Sequence, residues 1–188
     1  HTHSPRTTEL YESRALIIGY GAIGSAIGER LKGFGVQVTG VKRTPSDDPT
    51  IVTPDRWRGL IGDYDWVILA APSTGETKAL IGESELAAMK SSAWLINIAR
   101  GDVVDQDALI SALQRCQLAG AFLDVTTPEP LPTESPLWSM PNAILTSHLS
   151  GRAQTKMFQR SAQLFLRNLE RYRADEPLEN QVDLLLGY

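Results

Sequence analysis

Cysteine is nearly absent from this chain of 188 residues: Cys116 stands alone. No intramolecular disulfide can form, and such usage suits a reducing, cytoplasmic setting. Long apolar runs are absent as well, the longest being Trp66 to Ala71. A membrane helix needs roughly 20 residues, so no span is expected. The chain opens His1-Thr2-His3-Ser4, without methionine and without the basic start and apolar stretch of a secretory signal, and reads as the edge of a fragment. Basic charge is in deficit, with 18 Lys and Arg against 22 Asp and Glu for a net charge of −4. A pI of about 5.4 argues against a nucleic-acid platform. Histidine is scarce: of 3, two lie in the first three residues, which leaves His148 as the one imidazole inside the fold. No metal site is expected. What remains, 42% hydrophobic and 21% charged residues, is an ordinary globular composition at the length of one generous domain or a tight pair.

Residues 1–13 are polar, carry Pro5 and show no apolar period, and are expected to be a linker. Ala15-Leu16-Ile17-Ile18 reads as a short buried strand. A helix follows in which Ile23, Ile27, Leu31 and Phe34 share one stripe, ended by Gly33 and Gly35. Strands are then expected at Val36–Val41, Trp66–Ala71, Trp94–Ile98, Leu118–Leu123 and Ala143–Thr146, with helices at Glu83–Lys90 and Asp105–Arg115. Strands alternating with amphipathic helices imply right-handed crossovers and a doubly wound parallel α/β sheet covered on both faces. Thr126 to Pro141 holds five of the 11 prolines and is expected to be an extended surface arm. A last helix from about Ala153 to Arg173 places Phe158, Ser161, Ala162, Phe165, Leu169 and Tyr172 on one face, and the tail beyond Pro177 ends in the apolar run Val182–Leu186.

Gly19-Tyr20-Gly21-Ala22-Ile23-Gly24 spells G-x-G-x-x-G where the first strand meets the first helix. In that place Gly19 permits a sharp turn, Gly21 lets a pyrophosphate reach the backbone, and Gly24 lets the helix pack on the strand. The N–H groups of Ala22 and Ile23 would face the phosphates. The alternative is a merely structural glycine turn. A Rossmann-type site usually adds a carboxylate about 20 residues on, for the adenosine ribose. Here the second strand is followed by Lys42-Arg43-Thr44, two cations and a hydroxyl. They suit a 2′-phosphate and hence NADP, with NAD still possible; the plainer alternative is a solvated basic turn.

Several segments at expected strand exits carry a resemblance. Ala71-Pro72 with Glu76-Thr77, Leu95-Ile96-Asn97-Ile98-Ala99-Arg100-Gly101, Leu123-Asp124-Val125 through Pro128-Glu129-Pro130-Leu131, and Ser147-His148-Leu149-Ser150-Gly151 join the glycine loop. Together they resemble the cofactor domain of the D-isomer-specific 2-hydroxyacid dehydrogenases, over nearly everything from Leu10 to Tyr188. The resemblance implies that Arg100 binds the substrate carboxylate and keto oxygen, that His148 is the acid–base group, and that Glu129 bonds its other ring nitrogen and fixes its tautomer. It assigns cofactor contacts to Ala71, Pro72, Thr77, Ile98, Ala99, Arg100, Asp124, His148, Ser150 and Gly151. Taken singly, Arg100, Glu129 and His148 also read as a surface cation, a solvated carboxylate and a satisfied polar group.

The resemblance further implies a domain layout. Residues 14–150 would be the dinucleotide-binding domain, and residues 151–188 would return to a substrate domain that this chain does not supply. The last helix would then show an uncovered apolar face, and the fragment alone would be inactive. The implied activity is NADP-dependent hydride exchange with a glyoxylate-like or hydroxypyruvate-like acid. The family also contains a transcriptional co-repressor, so a dinucleotide-sensing module without turnover is the alternative. Pairing of cofactor domains in the family, with the arm bearing Trp138, implies a homodimer.

Overall fold

A computed structural model describes residues 8–152 and 155–182. Two compact units divide the chain at Ser147 and His148. In the first, seven strands among the described residues form one sheet: β1 (Arg14–Ile18), β2 (Gln37–Val41), β3 (Ile51–Val52), β4 (Trp66–Leu69), β5 (Trp94–Asn97), β6 (Gly120–Leu123) and β7 (Ala143–Leu145). Their order is β3-β2-β1-β4-β5-β6-β7, every pair parallel. This is the Rossmann-type doubly wound arrangement, with its order reversing between β1 and β4.

The helices of this unit are α1 (Ala22–Gly33), α2 (Glu83–Ala88) and α3 (Gln106–Gln114). α2 and α3 are shorter than their expected spans because caps and turns take the end residues; Asp105, for one, caps α3 by accepting the Ala108 N–H. Alternate residues of β1 feed two separate cores. Leu16 and Ile18 join a large cluster with Leu86 of α2 and Leu109 and Leu113 of α3. Ala15 and Ile17 join a smaller one on the opposite face, against Ile27 and Leu31 of α1. Both faces of the sheet therefore carry helices.

Three expectations need correction. The buried stripe of α1 excludes Ile23 and Phe34, each 64% exposed. Gly24 and Gly28 are buried instead, since the helix rests on the sheet through its smallest residues and Ile23 is turned about 100° from Gly24. The expected linker is structured from Leu10, which packs on the smaller core, and Ser13 accepts the Trp66 indole N–H at 2.9 Å; residues 1–7 lie outside the described residues. The proline-rich stretch lies largely at the surface as expected but is not extended throughout: Leu137 is buried in the large core within a 3-10 turn, Pro136–Ser139. Trp138 is exposed, yet its indole donates to the Pro132 carbonyl within the same segment. The sequence pattern also missed β3 and two 3-10 turns at Trp57–Gly59 and Ile61–Asp63.

The second unit holds α4 (Met157–Arg173), which exposes Phe158, Phe165 and Tyr172. Asn168 bonds Glu179 at both its backbone N–H and C=O, and the Arg167 guanidinium meets the Glu179 carboxylate, so the chain after α4 folds back along it. Of the expected apolar tail, only Val182 lies within the described residues. Among the described residues no helix is long and apolar enough to cross a membrane.

Candidate functional site

Parallel pairing brings the strand exits to one edge. Val52, Val41, Ile18, Leu69, Asn97, Leu123 and Leu145 form one register line across the sheet, each the last residue of its strand. The segments after β1, β4, β5 and β6 leave from that line, and ligands of such sheets bind outside the carboxyl ends at the point where strand order reverses.

Gly19 follows β1 at φ +97°, where a side chain would be strained and a Cβ would run into the backbone of Ala70 and Ala71. A Cβ on Gly24 would strike the Gly19 carbonyl oxygen, so turn and helix interlock. Around Gly21 the situation is reversed: nothing lies within 4 Å of where its Cβ would stand. That space opens at the start of α1, whose cap position has no side-chain hydrogen bond. Gly21, Ala22 and Ile23 are all exposed. First-turn N–H groups lack intrahelical partners and the helix dipole is positive there. The cradle therefore fits the pyrophosphate of a dinucleotide. Tyr20 packs away from it, its ring filling the space left by Gly28 and Gly40.

Lys42, Arg43 and Thr44 are exposed just past β2. The Arg43 guanidinium lies 3.7 Å from the Glu76 carboxylate. Asp48, in the same loop, is taken up by Thr50, whose hydroxyl and N–H both donate to it and hold its carboxyl below the usual range. Ala71 is buried at the β4 exit, and Pro72 is exposed. The Thr77 hydroxyl donates to the Pro72 carbonyl at 2.7 Å and accepts the Thr74 N–H at 2.8 Å. It closes its own turn.

Arg100 is launched from a turn held within the core. Asn97, 1% exposed, accepts the Ala99 N–H at 3.0 Å and donates to the Arg100 carbonyl at 2.9 Å. Ala99 is buried, Ile98 half-buried and Arg100 exposed, its guanidinium reaching the Ala99 carbonyl. Asn97 received no role from sequence, although a polar residue closing an apolar strand is a readable signal. Asp124, at the β6 exit, is 2% exposed and accepts the Thr146 hydroxyl at 2.5 Å. Glu129 lies in the exposed segment beyond it. His148 opens the second unit, half-buried and at φ +54°, an uncommon conformation for a residue with a side chain. Ser150 and Gly151 follow it, both exposed.

Residues 1–150 match the family model of the D-isomer specific 2-hydroxyacid dehydrogenase, NAD binding domain. The chain belongs to this dehydrogenase family. Glyoxylate reductase of Pyrococcus furiosus is 41% identical over 171 residues, 89% of this chain and 50% of the relative. Human glyoxylate reductase/hydroxypyruvate reductase is 37% identical over 183 residues, 93% and 54% of the two chains. The crystal structure of a D-isomer specific 2-hydroxyacid dehydrogenase from Xanthobacter autotrophicus Py2, in complex with NADPH and MES, is 37% identical with a TM-score of 0.86. It covers 100% of this chain, which covers 77% of it. The chain spans about half the length of the curated relatives it matches.

Proposed function

We propose that this chain is the cofactor-binding half of an NADP-dependent oxidoreductase acting on a small 2-keto or 2-hydroxy acid of the glyoxylate or hydroxypyruvate type. The glycine cradle at the α1 start would hold the pyrophosphate, and Lys42, Arg43 and Thr44 would take the 2′-phosphate. Two exposed cations and no carboxylate directly after β2 support that preference. Ala99 and Asp124 would line the nicotinamide end, and Ala71, Pro72, Thr77 and Ile98 would make further cofactor contacts. When bound, the nicotinamide supplies or accepts the hydride.

The protein's own part is binding and proton transfer. Arg100 would hold the substrate carboxylate and keto oxygen in its planar fork. His148 would donate a proton to the keto oxygen in reduction and remove it in oxidation, while Glu129 keeps the ring in the productive tautomer. A cation and a proton donor beside the oxygen that gains negative charge stabilise the transition state.

The observation that carries this reading is the common edge, where the open space over Gly21 and the core-anchored turn bearing Arg100 leave one register line. The test uses the full-length protein that contains this chain, with NADPH or NADH and a panel of 2-keto acids. NADPH oxidation with glyoxylate or hydroxypyruvate is expected, and His148→Ala is expected to lose about a hundredfold or more in kcat. Absence of turnover together with dinucleotide-dependent dimerisation would replace the enzyme reading with that of a sensing module.

A further inference from the structure

The segment that carries Glu129 has few ways to hold its shape. Pro128, Pro130 and Pro132 have no N–H to donate, and the described residues from Thr127 to Ser135 contain no helix or strand. The structure fastens it from outside. Gln106, the first residue of α3, donates from Nε2 to the Thr127 carbonyl at 2.6 Å and accepts the Thr127 N–H on Oε1 at 2.9 Å. One amide side chain thus satisfies both backbone groups of a residue two positions before Glu129, as a neighbouring strand would.

The anchor itself is firm. Asp105 caps α3 through the Ala108 N–H, and its own N–H donates to the Ile81 carbonyl at 2.9 Å beside the Ile81–Val104 bridge. A second joint lies one residue past Arg100. Gly101 sits so close under Thr126 that a Cβ there would collide with the Thr126 carbonyl oxygen. The loop bearing Arg100 meets the Glu129 segment through bare backbone at Gly101, and the Gln106 amide ties that same segment to α3. Glutamine suits the second joint because it has a donor and an acceptor side by side; a carboxylate would set an oxygen against the Thr127 carbonyl.

We propose that Gln106 is a positioning residue for the acid–base pair, holding the Thr127 backbone so that Glu129 is presented in register with Arg100. This rests on the roles given above to Glu129 and His148. Gln106 touches neither substrate nor cofactor in this reading and acts only through Glu129.

The experiment measures kcat for glyoxylate reduction at saturating NADPH, and the dissociation constant for NADPH, in the full-length protein. The variants are Gln106→Ala, Gln106→Glu, Glu129→Gln and the Gln106→Ala/Glu129→Gln pair. Loss of an outer partner of a working group costs about 10–100-fold, and Gln106→Ala is expected to lower kcat by about tenfold while leaving NADPH affinity within about twofold. Gln106→Glu, which is isosteric and keeps one of the two bonds, is expected to lose about as much and serves where the alanine variant is poorly folded. In the Glu129→Gln background the Gln106 change is expected to cost less than about twofold, because the group it positions is already disabled. Full activity in both Gln106 variants, an undiminished tenfold loss in the Glu129→Gln background, or a fall in NADPH affinity that matches the fall in kcat would each overturn the proposal. Wild-type kcat in Glu129→Gln itself would overturn the underlying reading first, and this one with it.

Discussion

The glycine cradle separates fold from ligand at two positions, and the separation is measurable. Gly21 has φ −87° and ψ −152°, extended backbone that alanine also adopts, and no atom within 4 Å of a Cβ. Gly21→Ala is then expected to leave folding unharmed or to stabilise it by up to about 1 kcal/mol, through the smaller entropy of the unfolded chain. The added methyl would stand in the space that fits the pyrophosphate. Displacing one charge-assisted hydrogen bond, at about 1.5–3 kcal/mol, weakens dinucleotide binding by about tenfold to a hundredfold. Gly24→Ala is expected to do something else. Its Cβ would lie 3.1 Å from both the Gly19 carbonyl carbon and Ile17 Cγ2, and closer still to the Gly19 oxygen. Backbone cannot rotate aside, so α1 must withdraw. Overpacking of this kind costs about 1–3 kcal/mol, a fall of roughly 2–10 °C in Tm for a domain of this size. Both variants are assayed by thermal unfolding without dinucleotide and by titration with NADPH, followed through energy transfer from tryptophan. If Gly21→Ala binds NADPH like the wild type, the open space is not the pyrophosphate site. If it unfolds as early as Gly24→Ala, the geometric distinction between the two glycines is wrong.

Two further predictions concern charge. Arg43→Ala is expected to weaken NADPH by about tenfold with little change for NADH; the competing Glu76 pair is exposed and contributes at most about 1 kcal/mol, so it does not hold Arg43 away from a phosphate. Equal losses for both dinucleotides at matched ionic strength would remove the NADP preference. Asp65 governs acid stability at the opposite edge of the sheet. Burial alone would raise its pKa, but the Lys90 ammonium and the Arg14 N–H, each at 2.8 Å, outweigh it and hold the carboxyl below its usual value. A carboxyl depressed in the folded state stabilises the protein above its unfolded pKa of about 3.9, and that contribution is lost as pH falls through the folded value. Asp65→Asn should therefore lower Tm at pH 7, with the gap from wild type closing below about pH 4; a gap that stays constant down to pH 3 would rule this out.

What the sequence made legible were features with a period or a forced conformation. The apolar strands, the crossover helices and the glycine turn all leave such marks, and the parallel, doubly wound sheet observed is the one those marks imply. Features below the length of a period were lost: β3 is two residues long, and the 3-10 turns between it and β4 are three each. The inward face of α1 was misread for a more instructive reason. Hydrophobic periodicity assumes that large residues face the sheet, yet close approach at Gly24 and Gly28 turns Ile23 outward beside the very N–H groups that the cradle needs exposed. Gln106 left no mark either, because an amide that pairs with a distant peptide looks in sequence like any polar residue at a helix start.

The same contrast explains how the loops at this edge of the sheet are anchored. Arg100 is exposed, but its carbonyl is tied to Asn97, which is itself locked in the sheet on the register line of strand ends. Glu129 is exposed, but its segment is tied to α3 through Thr127. In both cases the anchor is an uncharged amide reaching backbone. An amide can do this at any pH and in the presence of a charged ligand, whereas a salt-bridge anchor would compete with substrate carboxylate and cofactor phosphate. Replacing Asn97 by Asp keeps the acceptor for the Ala99 N–H but sets an oxygen against the Arg100 carbonyl and buries a charge. The turn below Arg100 is thus held by the donor half of the amide as much as by the acceptor half.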